Sequence, residues 1–188
     1  MSNKFFPLIY QNPIIAAIND LNNIELAAES PCNIVFLLKG DISNIAGIVD
    51  RFKSAGKGVF VHMDLIEGFS KDAVSLRYFH DNIKPDGIIT TKSNLVRIAK
   101  NNGIFIIQRL FALDSLSLAS GIESLHTTKP DAIEILPGIM PKVINEVHGQ
   151  TSIPVIAGGL IRDKEDVIDC LNAGALGVST SKKELWYM

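Results

Sequence analysis

The chain has 188 residues, 47% of them hydrophobic and 20% charged, with a net charge of −2. That is the make-up of a globular protein with a buried core, and it excludes the strongly basic field of an indiscriminate nucleic-acid binder while leaving room for a local basic patch. No apolar run approaches the roughly 20 residues of a membrane span, and the N-terminal runs are broken by Pro7, Gln11, Asn12 and Pro13, which excludes a secretory leader and points to the cytoplasm.

In chain order, eight short apolar runs recur about every 23 residues: 14–18, 33–38, 59–63, 87–90, 104–108, 132–136, 154–158 and 175–179. Continuous Val/Ile-rich runs of this length read as strands buried on both faces, and such parallel strands need helical crossovers. The intervening segments supply them. Asp20–Glu29 predicts an abbreviated first helix, and Ser43–Ser54 a second with Ile45, Ile48, Val49 and Phe52 on one side. Ser70–Asn82 carries Asp72 in its first turn, and Ser93–Asn102 stops at Gly103. Asp114–His126 and Asp163–Ala173 each begin with an acidic cap, and Lys182–Trp186 predicts a truncated last helix. The segment before Pro13 reads as irregular. Eight such units without a linker predict one domain over 1–188: an α/β, compact, TIM-type (β/α)8 barrel with short helices.

In this architecture, ligands meet the C-terminal ends of the strands. Those ends collect Lys39 and Asp41; His62, Asp64 and Glu67; Thr90, Thr91 and Lys92; Gln108 and Arg109; Glu134 with Pro137 and Gly138; Gly158, Gly159 and Arg162; and Ser179, Thr180 and Ser181. Alternation puts Phe105, Ile107 and Arg109 on one face of their strand, and His62 with Asp64 on one face of theirs. Glu134 lies inside an apolar run, where a carboxylate needs a partner. Two readings stand: Glu134, Arg109, Lys39 and Asp64 form a structural ion network, or its cations also meet a ligand anion.

The loops after strands seven and eight carry Gly158-Gly159 and Ser179-Thr180-Ser181. Barrels commonly bind phosphate there through backbone N–H groups, with hydroxyls adding donors and Arg162 adding charge. The competing account of the glycines is a tight turn. Met63, Met140, Phe60, Phe105 and Phe111 read as core or rim filler, Cys32 and Cys170 as inert thiols, and Trp186 as packing for the last helix. The four histidines (62, 80, 126 and 148) show no metal-ligand spacing, so neither metal nor cofactor is expected.

The stretches VFVHMDLIEG (59–68), KPDGIITTKSNLV (84–96), IFIIQRLFALDS (104–115), KPDAIEILPGIMPK (129–142), IPVIAGGLIR (153–162) and GVSTSKKELW (177–186) resemble the bacterial glycerol uptake operon antiterminator regulatory proteins. That resemblance implies a non-enzymatic regulator that responds to glycerol 3-phosphate, binds leader mRNA of glycerol-utilisation genes and promotes terminator readthrough. It places phosphate on Gly158, Gly159, Ser179 and Thr180, and the glycerol moiety near some of Asp64, Arg109 and Glu134. The residues themselves argue less for RNA. No RNP-like motif is present, and Lys92, Arg97, Lys100, Lys182 and Lys183 are either solvated charges or an RNA-facing patch. Two other readings compete: an enzyme on a small phosphorylated substrate with Asp64, Glu134 or His62 as acid or base, and a pure interaction scaffold. A homo-oligomer is compatible with all three.

Overall fold

The computed structural model describes residues 4–188. Eight strands form a closed, all-parallel barrel in the order β1-β2-β3-β4-β5-β6-β7-β8. They are β1 (Ile14–Ile18), β2 (Ile34–Leu37), β3 (Gly58–His62), β4 (Gly87–Thr90), β5 (Ile106–Phe111), β6 (Ala132–Leu136), β7 (Val155–Gly158) and β8 (Gly177–Thr180). Closure is made by Ile14, Ile15 and Ala16 of β1 in register with Val178, Ser179 and Thr180 of β8. The fifth strand begins two residues later than the sequence suggests and runs on to Phe111. All eight predicted strands are present.

The helices are α1 (Phe5–Gln11), α2 (Ile24–Glu29), α3 (Ile45–Ser54), α4 (Ala73–Tyr78), α5 (Ser93–Asn101), α6 (Ser115–Thr128), α7 (Pro141–Gln150) and α8 (Lys164–Asn172). Three start at aspartates whose carboxylates accept from the N3 amide: Asp72 from Ser75, Asp114 from Ser117 and Asp163 from Asp166. The first predicted helix divides into a 3-10 turn (Leu21–Asn23) and α2. The segment 70–82 becomes α4 followed by a π-helical turn, Phe79–Ile83. The last unit is a 3-10 turn, Lys183–Tyr187, held to the barrel by buried Trp186, whose Nε1 donates to the Thr180 carbonyl at 2.8 Å.

Two helices were not expected. The seventh, α7, starts with Pro141 at its first position, where a missing N–H costs nothing. The other replaces the irregular N-terminal segment. Phe5 and Ile9, one turn apart on α1, close the bottom of the barrel against Ile15, Ile34, Phe60, Ile107 and Ile156. Phe5 and Phe60 meet edge-on with centroids 5.2 Å apart. Glycines make that plug possible: a Cβ at Gly58 would stand 2.7 Å from Leu8, one at Gly87 2.6 Å from Phe60, and one at Gly177 2.6 Å from Ile9.

The remaining apolar residues fill the layer between strands and helices, including Met63, Cys32 and Cys170. Burial pushes both thiols up to about 11, so they stay protonated. Phe60 is core, Phe105 flanks the plug cluster, and Phe111 projects from the mouth.

Candidate functional site

The bottom of the barrel is filled with hydrocarbon; the top is polar. At the mouth, Arg109 of β5 stands in register with Glu134 of β6, and Arg109 Nε donates to Glu134 Oε2 at 2.7 Å. The other carboxylate oxygen accepts from Ser179 Oγ, also at 2.7 Å. Glu134 is 1% exposed and Arg109 7%, so the pair is effectively out of water. A guanidinium has five N–H donors, and this bond uses only the one on Nε. The terminal nitrogens have no acceptor among the described residues, and Arg109 lines the mouth cavity.

Glycine is required beside this pair for a steric reason. A Cβ on Gly158 would lie 2.5 Å from Ser179 Oγ and 2.7 Å from Glu134 Oε1. Gly138 is equally confined, its missing Cβ falling 2.7 Å from the Gly158 amide nitrogen. The Gly138 amide donates to the Gly158 carbonyl at 2.6 Å, so the loop after β6 is joined to the loop after β7.

The cavity has a volume of about 180 Å³, and its wall includes Asn19, Leu38, Arg109, Glu134, Gly159–Ile161 and Ser179–Ser181. Gly159 and Leu160 both take the left-handed backbone conformation, with φ of 76° and 63°. The first is easy for glycine, while the second is uncommon for leucine and marks a strained connection. The amides of Gly159, Leu160, Ile161 and Ser181 have no acceptor among the described residues. Those of Arg162 and Lys182 are held internally, by Asp166 Oδ2 at 2.7 Å and Thr180 Oγ1 at 3.1 Å. Gly159–Ile161 and Ser179–Ser181 thus line one cavity, while Gly158, expected at the phosphate, lies outside its wall, against Glu134 and Ser179.

The other expected site residues divide. His62, 1% exposed, has a buried Nδ1 without a hydrogen-bond partner. Burial, reinforced by the Arg109 charge, pushes its imidazole down to about 3, which keeps it neutral. Asp64 does not join the Arg109–Glu134 pair. Its Oδ2 accepts from the Thr91 amide at 2.7 Å and from Thr91 Oγ1 at 3.0 Å, and Oδ1 accepts from Thr90 Oγ1 at 2.9 Å. Lys39 is exposed and makes no ion pair among the described residues, and exposed Arg162 lies outside the cavity wall. The anticipated four-member ion network is thus one pair plus a serine.

The basic residues considered for RNA are scattered. Lys92 sits half-buried at the mouth end of α5 and Arg97 is exposed midway along it. Lys100 lies at the far end, ion-paired with Asp131. Lys182 and Lys183 are exposed just beyond β8. Sequence reasoning missed Asn19, although a polar residue directly after an apolar strand was the signal. It also passed over the Gly138–Gly158 contact, which no one-dimensional pattern reveals. Among the described residues, no group of three or more His, Cys, Asp or Glu side chains is placed to hold a metal ion. No helix among them is long and apolar enough to cross a membrane.

Fold and site together define a (β/α)8 barrel with a small, polar mouth cavity flanked by its last two strand–helix connections. Residues 14–186 match the family model described as glycerol-3-phosphate responsive antiterminator. A relative from Escherichia coli (strain K12), YgcP, is 41% identical over 179 residues, spanning 95% of this chain and 94% of its own. Two crystal structures are similar throughout. A glycerol uptake operon antiterminator regulatory protein from Listeria monocytogenes has TM-score 0.90 and 35% identity, covering 93% of this chain and 95% of that one. A glycerol uptake operon antiterminator-related protein from Thermotoga maritima has TM-score 0.84 and 38% identity, covering 93% and 98%. The chain belongs to the glycerol-3-phosphate responsive antiterminator family.

Proposed function

We propose that this protein is a cytoplasmic sensor of glycerol 3-phosphate that, when loaded, binds the leader mRNA of glycerol-utilisation genes and promotes readthrough of a terminator. The observation that carries the ligand half is that Gly159–Ile161 and Ser181, whose amides have no acceptor among the described residues, line the same cavity as Arg109, whose terminal nitrogens are unused. Backbone donors of this kind favour a phosphate. Of the bordering hydroxyls, that of Ser179 is spent on Glu134 and that of Thr180 on the Ile161 carbonyl, which leaves the Ser181 hydroxyl for the phosphate. The glycerol hydroxyls face Arg109 and Glu134, with Asn19 across the cavity. His62 and Asp64 lie on the β3 side as supports. A volume near 180 Å³ is below the roughly 300–1,000 Å³ of drug-sized sites, which suits a three-carbon phosphate better than a nucleotide. Arg162 and Lys39 add positive potential at the rim without contact.

Regulation requires the ligand to favour one conformation of the RNA-facing surface. The Gly138–Gly158 bond offers the link, because ordering the β7 loop around an anion constrains the loop at 137–141 as well. Lys92, Lys182 and Lys183, on the mouth side, are the basic residues best placed to meet RNA; Arg97 stands further down α5, and Lys100 is engaged elsewhere. Family membership and the burial of His62 favour a regulator over an enzyme acting on a phosphorylated substrate.

Thermal-shift titration is the first test. Glycerol 3-phosphate at about 100 times its Kd stabilises the fold by about 2.7 kcal/mol, whereas glycerol alone gives no shift. Filter binding of leader RNA then follows with and without the metabolite. Equal RNA affinity at zero and saturating ligand refutes the regulatory half, and absence of any thermal shift refutes the sensing half.

A further inference from the structure

One arc of the mouth rim is apolar. Phe111 and Leu113 after β5 are 46% and 78% exposed, and Leu116 in the first turn of α6 is 79% exposed. Ile139 after β6 and Leu160 after β7 continue the exposed arc. These loops form one surface: the Ala112 amide donates to the Leu136 carbonyl at 2.8 Å, and the Gly138 amide to the Gly158 carbonyl.

The helix beneath this arc is also unusual. The first eight residues of α6, Ser115–Ile122, carry no charged side chain, and its solvent face presents Leu116, Ala119 and Ser120 at i, i+3 and i+4. By contrast, α3, α5, α7 and α8 expose Arg, Lys, Asp or Glu on theirs. Depletion of charge at an exposed apolar centre is the compositional mark of a protein interface.

We infer that this face, from Phe111 through Ser120 and across Ile139 and Leu160, is where a second copy of this chain docks, α6 packing antiparallel on α6 of its partner. The five large side chains expose on the order of 500 Å². That matches the apolar part of one partner's share, about 800 Å², in a standard interface. A two-fold contact needs a self-complementary patch, and a flat helix face of alanine and serine flanked by leucines provides one, small residues allowing close approach while leucines fill the margins. Leu160 belongs both to this face and to the cavity wall, so the contact abuts the mouth.

Sedimentation velocity over about 1 to 100 µM tests the proposal. The full chain is expected to run at about twice its 20.5 kDa mass. A Leu113→Glu/Leu116→Glu variant is expected to run as a monomer, its dissociation constant raised at least about a hundredfold, with an unchanged circular-dichroism spectrum. Because Cys32 and Cys170 are buried, Ala119→Cys reports independently: mild oxidation should yield a disulfide-linked pair. A chain that stays monomeric throughout overturns the inference, as does a dimer that survives the double substitution without cross-linking through position 119. A monomer whose leader-RNA binding is lost in the double variant would assign this face to RNA and overturn it too.

Discussion

Between pH 7 and pH 5, acidification should weaken this fold chiefly through His62. His62 is sealed in the barrel with an unpartnered Nδ1, and its imidazole is pushed down to about 3 from an ordinary 6.5. Between those values the unfolded chain carries a proton at this position and the folded chain does not. Falling pH therefore favours unfolding; the neutral-histidine contribution is intact above about 6.5 and is lost progressively toward 3. Each pH unit in that window costs at most about 1.4 kcal/mol, so a descent from 6.5 to 5 removes up to about 2 kcal/mol. At the size of this chain that is a fall in Tm of roughly 4–8 °C. Urea unfolding at pH 7 and pH 5 measures it, with His62→Gln as the comparison. Other acid-sensitive groups, such as Asp41 and Asp114, whose carboxylates are held low by hydrogen bonds to Ser43 and Ser117, contribute equally to both proteins. The variant should start less stable at pH 7 and lose less on acidification. Parallel losses in the two proteins would refute the reasoning, since the orphaned imidazole would then have no part in the acid response.

Glu134→Gln keeps the shape of the site but leaves Arg109 without its counter-charge; urea midpoints should report a loss of about 2–4 kcal/mol. Gly158→Ala forces a methyl group between Ser179 Oγ and Glu134 Oε1, which should cost about 1–3 kcal/mol in thermal melts and weaken glycerol 3-phosphate binding in calorimetry by at least about tenfold. Gly47 sits exposed in α3 with nothing within 4 Å of a built Cβ, so Gly47→Ala should raise stability by about 0.5–1 kcal/mol in the same melts and leave ligand binding unaltered.

The strands were legible because burial on both faces writes itself as unbroken Val/Ile runs. The helices were legible where aspartates cap them. What escaped were elements announced by prolines. Pro7 and Pro13 made α1 look irregular, though Phe5 and Ile9 already stood one helical turn apart. The PGIMPK stretch hid α7, though Pro141 suits a first helical position. At the site, period-two alternation placed Arg109 correctly because it lies inside β5. It failed for Asp64, which lies past the end of β3 in a 3-10 turn and so reaches Thr90 and Thr91 instead. The partnership of Arg109 with Glu134 rests on the register between β5 and β6, which neither strand's sequence states. The basic cluster on α5 dissolves for a helical reason: eight residues at about 1.5 Å each separate Lys92 from Lys100 by roughly 12 Å, at opposite ends of the barrel.

The chemistry of the mouth is best understood from what the buried pair costs. Taking a guanidinium and a carboxylate out of water is unfavourable, and a buried ion pair is at most neutral against apolar residues of similar size. Stability alone gives no reason to place Arg109 and Glu134 where isoleucines fill the layer below. The surroundings add further penalties: two glycines, Gly138 and Gly158, forgo side chains so that the loops can close on the pair, and Leu160 adopts a left-handed backbone. These costs fall on one side of the barrel, around β6, β7 and β8. There they hold Arg109 by its Nε and leave its terminal nitrogens and the amides of residues 159–161 without an acceptor among the described residues. On the proposed reading, an anion entering the cavity would meet donors already held by the fold, so little ordering would be left to oppose its binding. That reading gives a use to the strain at Leu160 and to the unused donors beside it, which stability alone does not.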